Sequence, residues 1–135
     1  MSELVLFYSY SGNTKKISEK FGQENSFDIC EIVDIKRQNK FAAYTAGCFN
    51  AMKGGSRPVR ELNVKFEDYD TVNIFAPIWA GHPAPSLNGA LKLIPKNKKI
   101  KLFMVSASGG SNKNGITKRI RNLGLEIVGY EDIKS

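Results

Sequence analysis

Short apolar stretches alternate with stretches of helical spacing along the whole chain, and this alternation constrains the fold more than any other feature. The apolar stretches are LVLFY (4–8), FDICEIVDI (27–35), DTVNIFA (70–76), KIKLFMV (99–105) and LEIVGY (125–130). Each has the length and the β-branched or aromatic content of a strand. Between them, Ile17 and Phe21 mark the inner face of a first helix, with Gly22 placed to end it. Phe41, Tyr44, Thr45, Cys48 and Met52 trace the stripe of a second helix. Leu87, Ala90, Leu91 and Ile94 trace a third before Pro95, and Ile116, Ile120 and Leu123 a fourth before Gly124. Strict alternation predicts parallel strands joined by right-handed crossovers, hence a doubly wound α/β sheet of five strands. Ligands of such sheets lie beyond the carboxyl ends of the strands, where strand order reverses.

A chain of 135 residues is the size of one domain, 1–135, and can enclose a real core. No apolar run approaches the roughly 20 residues that span a bilayer, and the N-terminal run is only Leu4 to Phe7. The reading is therefore a cytoplasmic protein without membrane contact. Cys30 and Cys48 form no C-x-x-C pair, and with the single His82 they make no metal cluster, so reduced, packed thiols are expected. The net charge of +7 would suit an acidic protein, an anionic small ligand or a nucleic acid. Lysines and arginines are scattered, however, and the densest group, KLIPKNKKIK (92–101), reads as a solvated loop. Without zinc-finger spacing or an aromatic RNA-binding motif, nucleic acid is not expected.

Three loops fall at the expected strand ends: 9–14, 77–85 and 106–114. The first, SYSGNT, supplies hydroxyls from Ser9, Ser11 and Thr14, an amide from Asn13 and an uncrowded backbone at Gly12. It opens a helix whose first amides lack internal partners, an arrangement that suits a phosphate. A Ser11 cap and a Gly12 turn would explain the same residues without a ligand. The loop is neither a Walker loop nor G-x-G-x-x-G, so nucleoside triphosphate chemistry is disfavoured. The second, PIWAGHPAP, places the single tryptophan, Trp79, among prolines, as a rigid stacking platform for a planar ring. The third, SASGGSNKNG, is small enough to let backbone approach a flat ligand.

Together the loops resemble the flavodoxin family, whose phosphate loop [ST]-x-[ST]-G-x-[ST] is matched by Ser9, Ser11, Gly12 and Thr14. The resemblance runs from Leu4 to about Tyr130 and implies strand order 2-1-3-4-5 with one noncovalent FMN. It implies that Ser9, Tyr10, Ser11, Gly12, Asn13 and Thr14 contact the cofactor at its phosphate end. Pro77, Ile78, Trp79, Ala80, Gly81 and His82 would contact it from the second loop, with Trp79 against the isoalloxazine. Ser106, Ala107, Ser108, Gly109 and Gly110 would do so from the third. No catalytic residue and no metal ligand is implied. Such proteins carry electrons singly between partners.

Two features depart from the family pattern. Its electron carriers are commonly acidic, whereas this chain is basic, which points to a less negative potential and an acidic redox partner. After the fifth strand only EDIKS remains, too short for the family's final helix. Leu102, Phe103, Met104, Ile127 and Val128 would then leave an uncovered apolar patch, suggesting a homodimer. Two other readings stay open: an FMN-dependent NAD(P)H or quinone reductase, and a flavin-free interaction module on the same fold.

Overall fold

The computed structural model describes residues 2–36, 39, 43–53 and 55–135. Its strands are β1 (Ser2–Phe7), β2 (Asp28–Glu31), β3 (Tyr69–Trp79), β4 (His82–Pro83), β5 (Lys99–Ser106) and β6 (Glu126–Lys134). The helices are α1 (Asn13–Asn25), α2 (Cys48–Met52, entered through a π-helical turn, Ala43–Gly47), α3 (Pro85–Leu91) and α4 (Lys113–Asn122). The order is β2-β1-β3-β5-β6, every neighbouring pair parallel, with two-residue β4 antiparallel to β3. With β4 set aside, this is the order 2-1-3-4-5.

The strand order reverses between β1 and β3, so right-handed crossovers place α1 on one face and α3 and α4 on the other. Leu4, Leu6, Val72, Ile74, Ile100, Leu102 and Met104 are buried with Leu87, Ala90, Ile116 and Ile120 from α3 and α4. On the α1 face, Val5, Phe7 and Phe75 pack with Ile17, Phe21, Phe103 and Ile133. Phe21 lies 5.3 Å from Phe75 and 5.2 Å from Phe103, and Phe75 stacks on Phe103 at 4.4 Å. Each such ring removed from water contributes about 1.5–3 kcal/mol, which is what pins α1 over the sheet centre.

The elements differ from expectation in several places. Gly22 does not end α1. It is buried inside the helix, where a Cβ would lie 2.6 Å from Ile29 Cδ1, and the helix stops at Ser26 in the left-handed region (φ 56°). The second strand is shorter, Asp28–Glu31. In the second helix the buried positions are Ala43, Gly47 and Ala51, while Thr45 and Met52 are exposed. Phe41 lies outside the described residues.

The last strand runs on through the charged residues expected to trail free, pairing Glu131 to Lys134 with Phe103 to Ser106. No helix follows β6. The sheet face beyond α1 is not the apolar patch expected. Leu102 and Met104 are fully buried on the opposite face, Ile127 packs with that same cluster, and Phe103 lies beneath Phe21; of the five, Val128 is 45% exposed. A polar ladder crosses this face instead: Asn73 Nδ2 donates to Glu3 Oε1 (3.1 Å), and Lys101 Nζ lies 3.7 Å from the same oxygen. Such a face tolerates water.

Candidate functional site

The first loop leaves β1 where the strand order reverses. Gly12 adopts φ 105°, a conformation costly for a residue with a Cβ, and its amide donates to Ser9 Oγ at 3.1 Å. Its carbonyl accepts the first helical bond, from Lys16 N–H at 3.2 Å. The amides of Asn13, Thr14 and Lys15 therefore stand at the open, positive end of α1. Among the described residues no side chain caps them, and the first turn contains no acid. The N-terminus of α4 is different: Asn112 Oδ1 accepts from Gly115 N–H at 3.1 Å and closes it. Of these two helix starts, α1 is the one left open. Ser11 and Asn13 are exposed and Thr14 is buried in the same turn.

The second loop is not a loop for most of its length. Pro77, Ile78 and Trp79 belong to β3, and His82 and Pro83 fold back beside them, with Trp79 opposite His82. Ala80 and Gly81 form the tip with φ 51° and 84°. Two consecutive positive φ values give the tight hairpin turn whose twist suits two antiparallel strands. Ala80 tolerates a backbone that few non-glycine residues adopt, a feature concentrated at working sites. Trp79, half-buried, meets Tyr10 edge to face at 5.8 Å, so the first loop braces the indole.

The third loop repeats the first loop's device, with Ser106 Oγ accepting from Gly109 N–H at 2.9 Å and Gly109 at φ 78°. Ala107, Ser108 and Gly110 are exposed around this turn. Asn112 N–H donates to Gly81 O at 2.8 Å, joining the third loop to the hairpin tip. The three loops thus form one open shelf running from the start of α1 past Trp79 to Gly109. A surface depression of about 560 Å3 lies elsewhere, at the start of β6 beside Asn97, Arg121 and Gly124, and gathers no comparable donor set.

His82 is held from behind the hairpin. Its Nδ1 lies 3.4 Å from Arg119 Nη1 and its Nε2 lies 3.5 Å from Asn112 Nδ2. Both ring nitrogens thus face N–H donors, and protonation would set an imidazolium against a guanidinium. Burial first, then Arg119, pushes the His82 pKa below its ordinary value. The sign follows: the contribution is intact above the unfolded value near ~6.5 and is lost as pH falls through the lower folded value. His82→Gln should flatten the fall of the thermal midpoint between about pH 7 and pH 5. An unchanged slope would remove His82 from the account of acid stability. Arg119 had no signal in the sequence, because it reaches His82 across 37 positions of chain.

No protein-family model matches the chain, and no curated protein does. Among solved structures, a flavoprotein from Lactobacillus acidophilus NCFM in complex with FMN superimposes with a TM-score of 0.76 at 24% identity, covering 96% of this chain and 91% of its own. A protein from Bacteroides eggerthii DSM 20697 gives 0.79 at 19% identity, covering 96% and 86%. Oxidised flavodoxin 2 from Bacillus cereus gives 0.54 at 16% identity, covering 99% and 86%. At these identities the likeness establishes the fold, which is flavodoxin-like.

Proposed function

We propose that the chain binds FMN on this shelf and serves as a one-electron carrier between redox partners. One observation carries the reading: the uncapped, acid-free start of α1 shares a shelf with an indole braced edge-on by Tyr10. The donor set fits a phosphate ester, with the amides of Asn13, Thr14 and Lys15 and the hydroxyls of Ser11 and Thr14 as its holders. Trp79 would offer its face to the ring, and the tips at Ala80, Gly81, Ser108 and Gly109 would bring backbone to the ring's edge. FMN, when bound, supplies the redox chemistry, and the chain positions it and sets its electrostatic surroundings. Neutral His82 near neutral pH adds no charge beside the hairpin. Two free thiols suit a reducing, cytoplasmic compartment.

The test is a titration of purified FMN-free chain with FMN. Quenching of flavin fluorescence at one equivalent is expected, with a yellow complex that survives gel filtration. A chain that leaves FMN fluorescence unchanged at micromolar concentration sinks the reading. Direct oxidation of NADPH by the complex, with no second protein, would favour a reductase over a carrier.

A further inference from the structure

We propose that the groove beside α3 is a docking site for an acidic, leucine-bearing helical segment of a partner protein, whether or not FMN is bound. The distribution of acids carries the inference. Between Asp34 and Glu61, and again between Asp70 and Glu126, the sequence contains no aspartate or glutamate. These two stretches supply α2, α3 and α4, so all three helices are free of acids, whereas α1 mixes Glu19 and Glu24 with its lysines. The acids elsewhere do not fill the gap. Glu31 shares the α1 side of the sheet with Ile29, and Glu131 shares it with Ile133. Asp34 accepts from Tyr8 and Ser86, and Asp132 accepts from Ser111. Two adjoining depressions of about 380 and 250 Å3 open on this layer, both lined by Ser56 and Lys92, whose Nζ donates to Ser56 Oγ at 3.0 Å. Arg57 and Leu93 border the first, and Arg119 and Leu123 border the second beside buried Leu91 and Ile120. Neither lining includes an acid, while the depression beside Asn97 includes Glu126 and one beside Leu62 includes Glu61.

The groove is apolar as well as basic, and this selects the occupant. Leu93 and Leu123 on its borders are exposed, as are Phe49 and Met52 of α2. Arg119 Nη2 donates to Met52 O at 3.5 Å, which brings α2 beside α4, and Lys53 Nζ stands 4.3 Å from the Phe49 ring centre. Cations thus alternate with aliphatic and aromatic side chains, a surface matched by a helix bearing leucines on one face and carboxylates along its flanks. A nucleic-acid strand would meet the cations but leave the leucines wet, and a bilayer surface does not enter a groove between elements. Arg57 adds a specific need. Its Nη2 donates to Lys36 O at 2.5 Å, while its Nε is buried without an acceptor among the described residues. A carboxylate arriving there would meet a donor left unsatisfied by the fold.

The experiment titrates the full chain, with and without FMN, against a helical peptide of glutamate, alanine and leucine whose leucines lie on one face. Binding at low salt is expected, with backbone amide shifts at Met52, Lys53, Ser56 and Arg57 and along α3 and α4. Lys92→Glu should weaken it about tenfold, while Lys20→Glu, the same change in charge on exposed α1, should change it about twofold or less. Leu123→Ser, or Leu93→Ser should the first fail to fold, should weaken it about fivefold, as should serine in place of the peptide's leucines. Equal losses for Lys92→Glu and Lys20→Glu would mean that net charge alone is read, and would overturn the proposal. So would no binding at tens of micromolar peptide, shifts centred on α1, or indifference to the peptide's leucines. Tighter binding of oligouridylate or of phosphatidylserine vesicles to the same residues would also overturn it.

Discussion

Asn13→Asp is expected to abolish tight FMN binding while leaving the apo chain as stable as before or slightly more so. Asn13 is the first residue of α1 and is exposed, so the change is nearly isosteric and disturbs no packing. A carboxylate in the first turn interacts favourably with the helix dipole by about 0.3–1 kcal/mol. Toward a bound phosphate the same charge is repulsive, by about 2–4 kcal/mol across a few ångströms of partly wet surface. Affinity should fall roughly thirtyfold to a thousandfold. The two readouts move in opposite directions, which a general loss of structure cannot produce. Unaltered FMN affinity with a raised unfolding midpoint would place the phosphate somewhere other than the start of α1.

Gly89→Ala should be among the most damaging single methyl additions in the fold. A Cβ at Gly89 would lie 2.0 Å from the Arg57 carbonyl oxygen, and backbone cannot swing aside as a side-chain tip can. The segment carrying Arg57 is tied to α3 by Arg57 N–H to Pro85 O (3.1 Å), Asn88 Nδ2 to Gly55 O (2.8 Å) and Lys92 Nζ to Ser56 Oγ (3.0 Å). Forcing them apart should cost about 2–4 kcal/mol, exceeding the roughly 1 kcal/mol that alanine gains over glycine in a helix. The thermal midpoint should drop by roughly 10 °C. Gly22→Ala is the internal control: its Cβ meets Cδ1 and Cγ1 of Ile29 at 2.6 and 2.7 Å, but that residue is 38% exposed and its side chain can turn outward where the Arg57 backbone cannot, so a smaller change is expected. Similar midpoints for the two variants would mean that α3 does not press on the Arg57 backbone.

The alternation of apolar and helical stretches was enough to read the parallel sheet, because periodicity records which face of each element meets the core. It failed where something other than periodicity decides. The second helix buries Ala43, Gly47 and Ala51 because small residues permit close approach, a matter of size that a hydrophobic stripe does not register. Pro77 and Pro83 read as loop, yet Pro77 ends the β3–β5 ladder opposite Val105 and Pro83 pairs with Ile78 in the two-residue β4, places where few ladder bonds are needed. The EDIK residues looked like a polar tail, but an edge strand has one side and much of one face in water and accepts charges readily. The turn that opens α1 was legible because its residues are consecutive. The grip of Asn112 and Arg119 on the hairpin was not, since chain folding alone brings those groups together.

The contacts joining the loops have a mechanical consequence. Tyr10 leans on Trp79, the Trp79 hairpin is tied at Gly81 to Asn112, and Asn112 closes α4. Displacing any one of these contacts would have to be taken up by the next, so the indole, the hairpin tip and the start of α4 hold their places as one unit.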